Sequence, residues 1–304
     1  MASNITSTFA PLAAVLYGAD GTVVKTIVQT DDDTNISGEN GLVTASGTYA
    51  RVSGSSFKPV RMDASTHSFQ TIDYAHHEVH AGSHYYIQGY MTLDNTDVLR
   101  LKFVTPDSLK EVHFLYAIES LLQMTTTFDE GVTGGMTGGL RVSIHANNRS
   151  KNCYTGMHTG ADNQATVMTD STAAFTVDAL IGSTIFNTTD QSSAIITDND
   201  ATTVTVAALL GGTGNDWDTD DKYEINNVQA VLTSGVTAAT TYDQRIESES
   251  WGSDDKKLLI GGGGARGDEL ILRPNTTYLR TITSGDDANL IRFRAAWYEH
   301  TPKD

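Results

Sequence analysis

The sequence predicts an all-β protein: an antiparallel jelly-roll or β-sandwich core with a small inserted all-β domain and an N-terminal extension. Three observations predict it. Thr, Val, Ile, Tyr and Gly are abundant, and Leu/Ala/Glu/Lys-rich stretches at helical spacing are few. Short runs of β-forming residues recur between Gly-, Asn- and Asp-rich turns, without the strand–helix alternation of a doubly wound fold. Residues 169–225 differ in texture from their flanks, holding no His or Arg and much Thr, Asp and Ala.

Along the chain, residues 23–29 (VVKTIVQ) read as a short strand after the turn Ala19-Asp20-Gly21. The acidic, turn-rich run 31–41 suits an extended arm that orders on contact. Residues 85–93 and 98–104 flank Asp94-Asn95-Thr96-Asp97, a hairpin-like signal. Strands are further expected at 112–123, continuing through 125–127, and at 140–145, 269–272, 277–282 and 291–298. The last, IRFRAAWY, places Ile291, Phe293, Ala295 and Trp297 on one face and Arg292, Arg294, Ala296 and Tyr298 on the other. Within 169–225, the runs FTVDALIG, TIFNTTD, SAIITDND, TTVTVAAL and DKYEI predict a separate β module. Its core is expected from Phe175, Val177, Ile185, Ile195, Val204 and Val206. The resulting organisation is an arm or small β extension over 1–65, a jelly-roll-like core over 66–168 plus 226–304, and an inserted domain over 169–225.

Charge and cysteine usage narrow the function classes. With 20 basic against 37 acidic residues, the net charge of -17 repels nucleic acid and anionic membrane. No apolar stretch approaches the roughly 20 residues of a membrane span. The apolar patch 10–17 lacks the basic start of a signal peptide, so the mature protein is expected to begin at or near Met1. Cys153 is the only cysteine, which excludes an intramolecular disulfide and suits synthesis in a cytoplasm. Exposed strand edges and self-repulsion predict a homo-oligomer, and a trimer is favoured.

Residues 74–86 (YAHHEVHAGSHYY) hold four of the nine His. A helical His-Glu-x-x-His zinc motif fails, because His77-Glu78 is followed by His80 at the wrong spacing. On a strand, His76, Glu78 and His80 would share a face able to hold zinc. The favoured reading is a polar seam at a subunit interface or under a loop, with His76, His77, His80, His84, Tyr85 and Tyr86 as the candidate interface. Asp216, Asp218 and Asp220 match the first calcium-loop positions, but Asp221 and Asn227 stand where an EF-hand needs Gly and Glu, so a tight turn is expected. The glycine clusters 131–139 and 261–264 lack the Gly-Lys-Ser/Thr of a phosphate loop. No catalytic residue, cofactor or metal site is assigned; Cys153 shows no local sign of activation, and no Gly-x-Ser-x-Gly elbow occurs. Trp217, Trp251 and Trp297 leave a carbohydrate-binding or carbohydrate-cleaving reading open, although Trp297 alternates inward with Phe293 and is expected in the core.

Several blocks fall in a familiar order: YAHHEVHAGSHY, LKFVTP, FDEGVTGGMTGG, NNRS, Trp251-Gly252, and IGGGGARGDELILRPNTTYLRTITS through FRAAWYEH. Together they resemble a group of small structural proteins of tailed phages, encoded near the major capsid protein. In that group the NNRS region passes directly to the TYDQRIESESWG region, which implies that the segment between them is an insertion. That segment resembles a β module that recurs in phage structural proteins. The resemblance implies a virion protein, made in the host cytoplasm and without enzymatic motifs. A capsid decoration or cement role on the major capsid protein fits best. The alternative is a tail, baseplate or fibre-associated protein contacting the host surface.

Overall fold

The computed structural model describes residues 49–53, 56–59, 74–106, 110–151, 153–252, 260–261 and 269–301. The chain divides into two units, Met1–Ile72 and Asp73–Asp304. In the first, Tyr49–Ser53 (β1) pairs antiparallel with Ser56–Pro59 (β2). The strand expected at 23–29 and the acidic run 31–41 lie outside the described residues.

The second unit opens with a helix, Tyr74–Ala81 (α1), and is otherwise built of strands. One sheet runs in the spatial order Gln244–Trp251 (β18), Met124–Glu130 (β6), Thr277–Ser284 (β21), Val98–Val104 (β4), Val231–Ser234 (β16) and Leu140–Arg141 (β8). The other runs Ile260–Gly261 (β19), Glu111–Ser120 (β5), Asn289–His300 (β22), His84–Leu93 (β3) and His145–Ala146 (β9), with Leu270–Leu272 (β20) also pairing with β5. All these pairings are antiparallel. The all-β sandwich read from composition is therefore what forms.

Both sheets turn alternate residues into one core, as the period of two requires. On β4, Leu99, Leu101 and Phe103 are buried while the residues between them are partly exposed. On β22, Ile291, Ala295 and Trp297 face in, and Arg292 and Arg294 face out. Phe103 from one sheet meets Phe114 and Trp297 from the other at ring-centroid distances of 5.1 Å. Trp297 is fully buried, and its indole N–H donates to Glu299 at 3.2 Å. The Glu299 carboxylate also accepts the amides of Gln229 and Ala230 at 2.9 and 3.0 Å, fastening the segment before β16 to β22. An aromatic body packed in the core with a satisfied polar edge is how a buried Trp stabilises a sandwich.

The expected 85–93/98–104 hairpin does not form. β3 pairs with β22 and β9, whereas β4 pairs with β21 and β16, so residues 94–97 carry the chain from one sheet to the other. The turn chemistry itself is present: the Asp97 amide bonds the Asp94 carbonyl at 2.9 Å, and Thr96 has φ 70°. Turn residues signal a reversal but not which strands pair across it. Here the Thr96 amide donates to Ser284 O at 3.0 Å, tying this crossing to the β21–β22 crossing. Consecutive strands β3, β4, β5 and β6 alternate between the sheets. β21 then enters between β4 and β6, and β22 between β3 and β5.

The glycine-rich run 131–139 supplies Thr133–Gly135 (β7), which pairs with Ala239–Thr241 (β17). Gly135 has φ +64°, and a Cβ there would lie 2.2 Å from the Ala238 carbonyl oxygen. Close backbone approach, not phosphate binding, explains it.

The inserted module forms a third sheet: Tyr154–Met157 (β10), Lys222–Asn226 (β15), Thr184–Asn187 (β12), Ser192–Asn199 (β13), Thr203–Val206 (β14) and Val167–Thr169 (β11). It has its own buried cluster, including Met168, Ile185, Ile196, Val204, Trp217 and Ile225. Two expectations are corrected. The module's sheet starts at Tyr154, upstream of the compositional boundary at Thr169, because Tyr154 pairs with Ile225 where the chain enters and leaves. The run FTVDALIG forms turns instead of a strand: Phe175 and Leu180 are buried, but Val177 is exposed, as is Ile195 on β13.

Polar bonds seat the module on the sandwich. The buried Glu224 carboxylate receives Arg149 at 2.6 Å and His145 at 2.9 Å. Asn226 Nδ2 donates to Ile144 O at 2.7 Å, and Arg141 Nη1 donates to Ser193 Oγ at 2.8 Å. These bonds run between β15 or β13 and the β8–β9 region, and Phe186 of β12 is buried with the sandwich core, so the two cores are joined by polar bonds and by one aromatic side chain.

Candidate functional site

The His-rich segment that drew attention in the sequence is a helix followed by a strand. Residues 74–81 form α1, which ends at Gly82 with φ +83°. The Gly82 and Ser83 amides both bond Glu78 O at 3.1 Å, a glycine-terminated C-cap. Helical geometry overturns the His76/Glu78/His80 strand face. His76 and His80, four apart, share the exposed face with Nε2 atoms 2.9 Å apart. Glu78 points inward, buried and bonded to Ser83 Oγ and, at 3.2 Å, to His77 Nδ1. Burial opposes ionisation of Glu78, but hydrogen bonds from Ser83 and His77 outweigh it and hold its pKa below the usual value.

The remaining candidate interface residues separate. Tyr85 is 1% exposed and belongs to the core, so it is removed from any contact with another subunit. Tyr86 is half-buried against His145, ring centroids 5.5 Å apart. His84 leaves the exposed group too, its Nδ1 accepting from Asn147 Nδ2 at 2.8 Å and its ring stacking on Tyr298 at 6.2 Å. Burial first, and then the Arg294 charge, lower its pKa. His76, His77 and His80 alone remain on an exposed surface.

From His84 a row of rings crosses the sheet. Tyr298 on β22 pairs in register with His84 on β3 and with His113 on β5. Tyr298 and His113 stack at 4.5 Å, 15° from parallel. Val112 and Phe114 face the core, so His113 and Glu111 lie on the opposite face by strand alternation. His300, opposite Glu111 in register, completes the group.

One donor atom each from Glu111, His113 and His300 lies within 4.8 Å of the others. His113 Nε2 and His300 Nε2 are 2.9 Å apart. Glu111 Oε2 stands 3.8 Å from the first and 3.9 Å from the second. Behind the group, Glu269 Oε1 contacts His113 Nδ1 and accepts the Tyr298 hydroxyl at 2.6 Å. His300 Nδ1 lies 3.1 Å from the Thr301 carbonyl oxygen. All three gathered side chains are partly exposed.

Comparison with family models and with curated proteins found no match for the chain.

The other sequence candidates resolve individually. Asp218 and Asp221 close a turn, the Asp221 amide bonding Asp218 O at 3.0 Å, and Asn187 donates to Asp221 Oδ2 at 2.8 Å. Trp217 and Trp297 are fully buried, which withdraws both from a carbohydrate-binding surface. Burial, aided by the Glu224 charge, pushes the Cys153 thiol up to about 11, so it is an unreactive thiol. Of the glycine cluster 261–264, residues 262–264 lie outside the described residues.

Sequence reasoning missed Glu111, His113, Glu269, Tyr298 and His300. A signal existed: Glu111 and His113, and likewise Tyr298 and His300, are two apart, the spacing that puts side chains on one face of a strand. Their convergence depends on β5 and β22 becoming neighbours, which no local pattern specifies.

Proposed function

We propose that this chain is a non-enzymatic structural component of a tailed-phage virion that decorates or cements the capsid surface. One observation carries the reading. The strand order β3-β22-β5-β20 in one sheet and β4-β21-β6-β18 in the other supports a jelly-roll reading of the sandwich, in which eight strands alternate between two sheets as paired Greek keys. Viral capsid domains use that architecture, as do lectins and cupins. The resemblance of the sequence blocks to phage structural proteins and the net charge of -17 support the virion reading among these. An acidic surface stays soluble at high local concentration and avoids nucleic acid.

In this reading the protein acts as a homo-oligomer, with a trimer favoured, bound to the major capsid protein. Closed symmetry covers exposed strand edges. The exposed face of α1 with His76, His77 and His80 is a candidate for part of the contact. The test is reconstitution: purified chain added to particles lacking it should bind saturably. Failure of the full chain to bind such particles would overturn the reading.

A second reading is a tail, baseplate or fibre-associated protein contacting the host surface. The module's edge strand β10 favours it, because it presents the exposed side chains of Tyr154 and Met157. Location in the particle separates the two readings.

A further inference from the structure

We propose that Glu111, His113 and His300 bind a zinc-class divalent cation, with Glu269 orienting His113. The inference concerns a site that a purely structural role does not require. It follows from where the imidazole protons must sit. The Glu269 carboxylate is the acceptor beside His113 Nδ1; the Tyr298 hydroxyl, 3.0 Å from the same nitrogen, gives its own proton to Glu269 at 2.6 Å, and the Thr301 carbonyl is the acceptor 3.1 Å from His300 Nδ1. Each Nδ1 therefore carries the hydrogen, and each Nε2 presents a lone pair. Those two lone pairs meet at 2.9 Å. Neutral imidazoles repel in that arrangement unless a cation, either a proton or a metal ion, lies between them.

The surroundings favour the metal. A shared proton would need only the two nitrogens. Here Glu111 Oε2 forms a third vertex, at 3.8 and 3.9 Å from them. An ion about 2.0–2.1 Å from each nitrogen accommodates their separation with a bent N–metal–N angle. Two imidazoles and a carboxylate suit zinc and its first-row neighbours, whereas calcium and magnesium prefer all-oxygen shells. Glu269 behind His113 supplies the carboxylate–histidine–metal arrangement that fixes the tautomer and raises ligand basicity. Tyr298 holds Glu269 through a 2.6 Å hydrogen bond. The ion would bridge β5 to the final strand β22 and, through Glu269, to the residue preceding β20.

The exposed His76–His80 pair, also with Nε2 atoms 2.9 Å apart, is the internal control. The test is calorimetric zinc titration of the chelator-treated full chain at neutral pH, with thermal unfolding alongside. One ion per chain is expected, with a rise in Tm that depends on zinc concentration. Uptake should survive His76→Ala, be lost in His300→Ala, and weaken roughly 10- to 100-fold in Glu269→Gln. If His300→Ala fails to fold, Glu111→Gln serves instead, because that side chain is 39% exposed. A wild-type chain that takes up no zinc would leave a shared proton as the occupant and overturn the proposal. Uptake that persists undiminished in a folded His300→Ala or Glu111→Gln variant, or that disappears in His76→Ala, would overturn it equally.

Discussion

Tyr298 stacks on His113 at 4.5 Å while its hydroxyl donates to Glu269 at 2.6 Å, so one side chain buttresses both an imidazole and the carboxylate that orients it. Tyr298→Phe keeps the stack and deletes the hydroxyl. The expected cost is about 1.5–3 kcal/mol, the net worth of a hydrogen bond to a charged group. Urea denaturation should show a lower midpoint with an unchanged slope.

Arg280 is a cation enclosed by the sandwich. Its guanidinium carbon lies 3.9 Å from the Tyr116 ring centroid and 4.4 Å from that of Phe128, and it pairs with Glu247 at 2.8 Å. Arg280→Ala removes the stacking and strands a partly buried carboxylate, at an expected cost of about 3–5 kcal/mol. The double variant Arg280→Met/Glu247→Gln should recover most of that loss. Denaturant unfolding of both variants checks the comparison.

Glu224 makes the module's attachment sensitive to acid. Burial opposes its ionisation, but hydrogen bonds from His145 and Arg149 outweigh burial and hold its pKa below the ordinary 4.5; the Cys153 thiol also faces it, 3.8 Å away. A depressed carboxylate contributes stability that is present above the unfolded value and lost as pH falls through the folded one. Glu224→Gln should therefore be less stable than wild type at pH 7, and the gap should close as pH drops below about 4.5. A gap that is constant with pH would contradict the assignment.

The module's boundaries predict which deletion survives. Removing 154–226 and bridging the ends with a short Gly/Ser linker takes out the entire third sheet, because Tyr154 and Ile225 are paired neighbours. The remaining sandwich should fold cooperatively. Removing only 169–225 leaves Tyr154–Met157 without its partner β15 and Val167–Met168 without β14. That variant should aggregate or unfold at lower temperature, which circular dichroism melts would reveal.

The fold class was legible because alternation is local. IRFRAAWY announces its two faces, and Trp297 and Ile291 are buried as that pattern requires. Pairing was not legible. The signals around Asp94-Asn95-Thr96-Asp97 are those of a reversal, and a crossing between sheets uses the same residues as a hairpin. The segment 74–81 misled for a related reason: eight residues of YAHHEVHA carry weak periodicity, and the packing of Glu78 and the Gly82 cap decide for helix. The candidate site was hidden most deeply. His113 and His300 are 187 residues apart, and only the insertion of β22 beside β5 brings them together.

If the protein coats a capsid, as proposed, its copy number in purified particles follows the capsid lattice. Quantitative mass spectrometry, calibrated against the major capsid protein, should find this chain in a fixed ratio to capsomers, at hundreds of copies per particle. Its absence from washed particles, or a count of only a handful per virion, would contradict the account.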